Sequence, residues 1–239
     1  MFSNLGNEIV VFLRQLIVMV PGLLIGVILH EYAHGYIANR FGDPTAKNMG
    51  RLTLNPIAHI DLFGSILLPL LLILIRSSIV FGYAKPVPIN PSYFRSYRRG
   101  IRYSSLAGPV TNLIVGFLIG ALFGLFIYIL QISGFLLNEA SGTIGHKAVI
   151  LIYDMFRNAI YINIFLAIFN FIPVPPLDGS NILASFLPGD AMYKFLRIGR
   201  FGFIFIFLLL YLGGGLFWKA LSPVINVVFD GFTWWQYLM

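Results

Sequence analysis

The chain has 239 residues, of which 58% are hydrophobic and only 10% charged, with sixteen Lys and Arg against nine Asp and Glu. About a quarter of a soluble domain is charged, so this composition excludes a soluble protein, and most of the chain must face lipid or other membrane helices. The absence of cysteine excludes disulfides and thiolate zinc sites. The basic excess lies beside apolar segments, which fits the positive-inside rule and not a nucleic-acid partner.

In chain order, Met1 to Asn7 lacks the basic start of a cleavable signal peptide. The first apolar segment, Leu16 to the Tyr36 region, is expected to remain as a span. It carries Ile28-Leu29-His30-Glu31-Tyr32-Ala33-His34. On a helix His30 and His34 rise about 6 Å and lie roughly 40° apart, so both imidazoles can grip one Zn²⁺. Glu31 is placed to reach the metal's water without being a ligand, which suits a general base. The bland alternative is a pair of satisfied polar residues near a helix end. Within a span, ionisable residues are costly and functional by default, which favours the metal reading.

Lys47 to Leu54 reads as short and strand-like, able to pair with an unwound substrate or to form an ordinary surface hairpin. Leu62 to Ile75 has only fourteen apolar residues, with Gly64 and Pro69 among them. That is short for a span, so a segment that is re-entrant or lies within the leaflet is expected. Ser104 to Ile132 is long enough to cross. Another segment runs from Asn158 to Pro173, with an amphipathic start as early as His146. The last apolar region is Phe201 to Trp218, and Trp234, Trp235 and Tyr237 in the tail read as interfacial anchors. The expected fold is an all-α polytopic membrane protein of about five or six hydrophobic helical segments, with a short membrane-associated strand or re-entrant region after the first core helix. Residues 1–239 are expected to form a single membrane-embedded domain.

A catalytic zinc site needs a third protein ligand and leaves the fourth position to water. His59 and His146 are the other histidines, so carboxylates enter the search. Asp178 follows three prolines in Asn170-Phe171-Ile172-Pro173-Val174-Pro175-Pro176-Leu177-Asp178-Gly179. They stop the helix ending near Asn170 and prevent another from forming before Asp178. Locally, Asp178 reads equally well as the N-cap of a short helix starting at Ser180. Depth favours the ligand. Leu16 to Leu29 makes about 21 Å of helix before His30, and Asn170 lies about 19 Å beyond Arg157. In a core about 30 Å thick the two depths match if both helices run the same way.

HEYAH at 30–34, Ala107-Gly108-Pro109-Val110-Thr111-Asn112, and NFIPVPPLDG at 170–179 occur in the order found in the site-2 protease family of intramembrane zinc metalloproteases, peptidase family M50, and the chain resembles that family. Leu54-Asn55-Pro56 through His59-Ile60-Asp61, and Phe81-Gly82-Tyr83-Ala84-Lys85-Pro86-Val87-Pro88, resemble its short bacterial branch without PDZ or CBS domains. The resemblance implies His30, His34 and Asp178 as ligands of one Zn²⁺, Glu31 as the base, and Asn170 as a group that positions substrate or its oxyanion. It implies an endopeptidase acting within or near transmembrane helices, on single-span membrane proteins or signal-peptide remnants. Asn112 and Asn170 can instead be interhelical hydrogen-bonding groups, and His59 an interfacial or gating residue. A non-catalytic zinc carrier or sensor is the rival class; it would have no need of Glu31.

With one crossing by Ser104–Ile132, the loops 38–103 and 173–200 share a side. They hold twelve Lys and Arg against four elsewhere, Arg14, Lys147, Arg157 and Lys219. That bias expects a cell-membrane protein with its zinc site toward the cytoplasm.

Overall fold

The computed structural model describes residues 2–68, 84–133 and 143–199, together with positions 71, 202, 215, 219, 222, 223, 226, 227, 230 and 231. Among the described residues the regular structure is entirely helical. In lipid every peptide group must find its hydrogen bond within its own segment, so long apolar stretches become helices. Helix α1 spans Phe2–Arg40, α2 Thr45–Asn48, α3 Tyr97–Ile132, α4 Ile144–Phe171, α5 Asp178–Ala184 and α6 Gly189–Ile198. Short 3₁₀ turns cover Pro56–His59 and Pro91–Tyr93, and a π-helical turn covers Leu62–Leu67.

Among the described residues, three helices are long and apolar enough to cross a membrane: Val10–Arg40, Tyr97–Ile132 and Ile144–Phe171. Each extends past the apolar run read from the sequence, because a helix formed in lipid continues through polar flanks such as Arg98 and Arg99 at no backbone cost. Of the five or six expected segments, Leu62–Ile75 is described over residues 62–68 and 71, while the rest of it, most of Phe201–Trp218, and the anchors Trp234, Trp235 and Tyr237 lie outside the described residues. The strand expected at Lys47–Leu54 does not form: Lys47 and Asn48 close α2, and Gly50 takes a φ of +64°, the left-handed turn conformation open to glycine.

The chain divides into two compact units, each discontinuous in sequence. The first comprises Met1–Gly26, Asn112–Phe169 and Phe203–Met239. In it, α4 packs on α3 through Phe123, Ile160 and Ile164, with Phe126 and Phe156 stacked at 5.5 Å. Toward α1, α4 offers small side chains. A Cβ on Gly22 would lie 2.6 Å from the Ala159 Cα, and one on Gly26 2.8 Å from Asn163 Oδ1. Bare glycines four apart let the two backbones touch. Gly22 meets Ala159 and Gly26 meets Asn163, so α1 and α4 run parallel, the direction that the depth match requires. Outward-facing Ile17, Leu118 and Leu122 are exposed, the inside-out arrangement of a protein solvated by lipid.

The second unit comprises Val27–Thr111 and Asn170–Gly202. Helix α1 stops at Gly42, whose φ of +111° ends the helical path. Buried Asp43 then secures the turn, accepting hydrogen bonds from the N–H groups of Thr45 at 2.9 Å and Asn90 at 2.6 Å. Ala38, Phe94, Ile101, Ala184 and Met192 form the core. Arg102 fastens the end of α5, donating from Nε to Ser185 Oγ at 3.0 Å and lying 3.6 Å above the Phe186 ring.

Candidate active site

His30 and His34 sit one turn apart on α1, both buried, with their rings edge to face at 4.5 Å. The His34 Nδ1 lies 2.6 Å from the Ser104 carbonyl. A carbonyl can only accept, so Nδ1 carries the hydrogen and the lone pair of the neutral ring is left on Nε2. That Nε2 is 2.9 Å from His30 Nε2, and each of the two is 3.1 Å from Asp178 Oδ2.

Asp178 is the first residue of α5, the N-cap position before it is held by Leu177, and the Asp178 Oδ2 lies 3.1 Å from each histidine Nε2. The N-cap reading is thereby answered: the carboxylate turns to the histidines. Gly179 makes the approach possible, because a Cβ there would overlap the carbonyls of Phe171 and Ile172 where the chain folds back.

His34 Nε2, bare of hydrogen in the neutral ring, thus converges with His30 Nε2 and the Asp178 carboxylate, three atoms that can each offer an electron pair to a metal. Zinc bonds of about 2.0–2.2 Å in a tetrahedron place ligand atoms about 3.3 Å apart, close to the spacing found. Burial pushes the carboxyl of Asp178, which lies outside the three spans, up, yet positive charge on His34 and hydrogen bonds from His30 and His34 outweigh this and hold it down at about 2, a positive charge that a bound cation would supply in place of those protons. The cluster also has room. A Cβ on Gly108 would lie 2.6 Å from His30 Nε2 and closer still to His34 Nε2, so a bare α-carbon faces the point of convergence. The residues fit a zinc ion.

The structure therefore brings together His30, His34 and Asp178. Glu31 faces another way in part: its Oε2 accepts the Val87 N–H at 2.7 Å. Asn170 lies partly buried in the last turn of α4. His59 stands apart from the cluster. It is buried with Nε2 donating to the Thr53 carbonyl at 2.8 Å, and its own carbonyl takes the Lys85 N–H. Asn112 is fully buried in α3. Sequence reasoning missed Asn163, although its spacing of four from Ala159, matched by Gly22 and Gly26, was a readable signal of close helix packing.

The sequence profile of Peptidase family M50 matches residues 18–211. The chain belongs to peptidase family M50. Among its relatives, a protein of Bacillus subtilis (strain 168) named "Putative zinc metalloprotease YwhC" is 37% identical over 207 residues, covering 85% of each chain. "Putative zinc metalloprotease Rip2" of Mycolicibacterium smegmatis is 26% identical over 92% of this chain and 72% of its own length. The Mycobacterium tuberculosis (strain H37Rv) protein of the same name is 25% identical over 92% and 73%. No solved structure matches the chain. Membership of M50 makes the protein a membrane-embedded zinc metalloprotease.

If the three convergent groups are its ligands, the purified protein should bind about one zinc per chain. His30→Ala, His34→Ala and Asp178→Ala should each lose it, as measured by elemental mass spectrometry after dialysis. Full zinc in the Asp178 variant would remove that residue from the ligand set.

Proposed function

We propose that this M50 protease is an intramembrane endopeptidase that hydrolyses peptide bonds within or near the transmembrane helices of other membrane proteins. The observation that supports this most directly is the meeting of three ligand atoms borne by a membrane-spanning helix and a proline-broken segment, with a carboxylate beside the first of them. Zinc bound by His30, His34 and Asp178 would supply Lewis acidity and a more acidic water. Glu31 then takes the proton from the attacking water and returns it to the leaving amine. Asn170, at the end of α4, offers amide hydrogens to the substrate backbone or to its developing oxyanion.

Helical amides are hydrogen-bonded and shielded, so a substrate helix must unwind before attack. Single-span proteins and signal-peptide remnants are the natural substrates, since a lone helix has no tertiary contacts to resist unwinding. Quantitative proteomics of membrane fractions tests this directly. Cells carrying Glu31→Gln should accumulate intact single-span proteins or signal-peptide remnants that wild-type cells process, and identical membrane peptidomes would refute the assignment.

The charge bias supports a site toward the cytoplasmic side of the cell membrane. Reporter fusions at Asn90 and Thr143, which flank α3, should report opposite sides, with Asn90 cytoplasmic. Both on one side would rule the topology out.

A further inference from the structure

Glu31 is not left to its own rotamers. Val87 supplies the one main-chain donor to it among the described residues, at 2.7 Å from Oε2. The segment carrying Val87 is pinned on either side of that contact. Arg51 Nη2 donates to the carbonyls of Lys85 at 2.9 Å and Pro86 at 3.3 Å. The Lys85 N–H donates to the His59 carbonyl at 2.9 Å, and the Asn90 N–H to Asp43 at 2.6 Å. Pro86 and Pro88 flank Val87. They fix the backbone there and lack N–H groups, so Val87 is the single main-chain donor of residues 86–88.

Two further features belong to this contact. Gly35 lies one turn past Glu31 on α1, and a Cβ there would stand 2.8 Å from Val87 Cγ1; the bare glycine lets Val87 seat beside the carboxylate. The Arg51 Nε–H is buried without an acceptor. A guanidinium turned to solvent would avoid that cost, so the side chain is held for what its other nitrogen grips.

The geometry points to Arg51 as a positioning residue for Glu31. By holding the Lys85 and Pro86 carbonyls it aims the Val87 N–H at Oε2, which fixes the carboxylate and leaves Oε1 to take the proton. This rests on the reading of Glu31 as the base. Without the clamp Glu31 keeps its chemistry and loses its aim, and a displacement of about 1 Å is enough to slow a reaction about 10²-fold.

The test uses the full-length protein, with zinc content and steady-state cleavage of a single-span substrate measured together. Arg51→Ala should lower kcat about 10- to 100-fold, with KM within about twofold of wild type and zinc retained. Arg51→Lys, whose cation still reaches one carbonyl, should recover part of the rate. Gly35→Ala probes the same contact without touching Arg51: it should lower kcat by displacing Val87, and adding Val87→Ala, which removes Cγ1, should restore it. In a Glu31→Gln background Arg51→Ala should cost nothing further. Unchanged kcat in Arg51→Ala, or parallel loss of zinc and kcat in the Arg51 and Gly35 variants, overturns the positioning role. Equal cleavage by wild type and Glu31→Gln would instead sink the reading of Glu31 as base, a result that Arg51 variants cannot produce.

Discussion

Glu31→Gln is expected to keep its zinc and its substrate affinity while losing cleavage by about 10²–10⁴-fold, the range typical of a lost general base. The reasoning is chemical. Three ligand atoms already meet without Glu31, so its carboxylate is not needed to hold the ion. Glutamine preserves the shape and can still accept the Val87 N–H that Glu31 Oε2 accepts at 2.7 Å, so the surrounding backbone has no reason to move. What disappears is the ability to take and return a proton. Measured on purified protein, zinc per chain and KM should match wild type and kcat should collapse. Substrates carrying Gly, Asn or Pro near the scissile bond should be cut faster by wild type, because weakening the helix lowers the cost of unwinding. They should rescue nothing in the variant. Near-wild-type cleavage of such a substrate by Glu31→Gln would remove the base from the mechanism.

Gly108→Ala is expected to abolish zinc binding although it replaces no ligand. The added carbon would sit 2.6 Å from His30 Nε2 and nearer to His34 Nε2, in the space that an ion shared by those atoms must occupy. Ordinarily the substitution favours a helix, since alanine is the better helix former by about 1 kcal/mol. Helix α3 should therefore persist, and circular dichroism should be unchanged while bound zinc falls to background. Full zinc occupancy in this variant would mean that the ion lies elsewhere than the point where the three groups converge.

Much of this site was legible because it is written locally. His30 and His34 declare themselves by a spacing of four inside an apolar run, where two imidazoles need a reason to be. Asp178 declares itself less plainly, since a residue after prolines and before glycine suits a cap equally well; only its contacts show which way it turns. The three long helices were legible from apolar length, and their true ends were not, because polar flanks such as Tyr97-Arg98-Arg99 continue a helix without contributing hydrophobicity. The strand expected at Lys47–Leu54 gave way to the end of α2 at Lys47 and Asn48 and to the left-handed turn at Gly50, features that local patterning of KNMGRLTL did not weigh. Arg51, Gly35 and Val87 were invisible for another reason. Their relation to Glu31 is made of main-chain groups and empty space, and neither has a residue letter.

The hydrogen bond from His34 Nδ1 to the Ser104 carbonyl shares that invisibility. It decides which nitrogen of the ring faces the cluster, yet the deciding group belongs to the main chain of α3. Alanine scanning deletes side chains and leaves carbonyls in place, so Ser104→Ala would report an unimportant position. The tautomer of this site is set by the path of the backbone, and only a change that moves that path, such as a shift of α3 along its axis, can unset it.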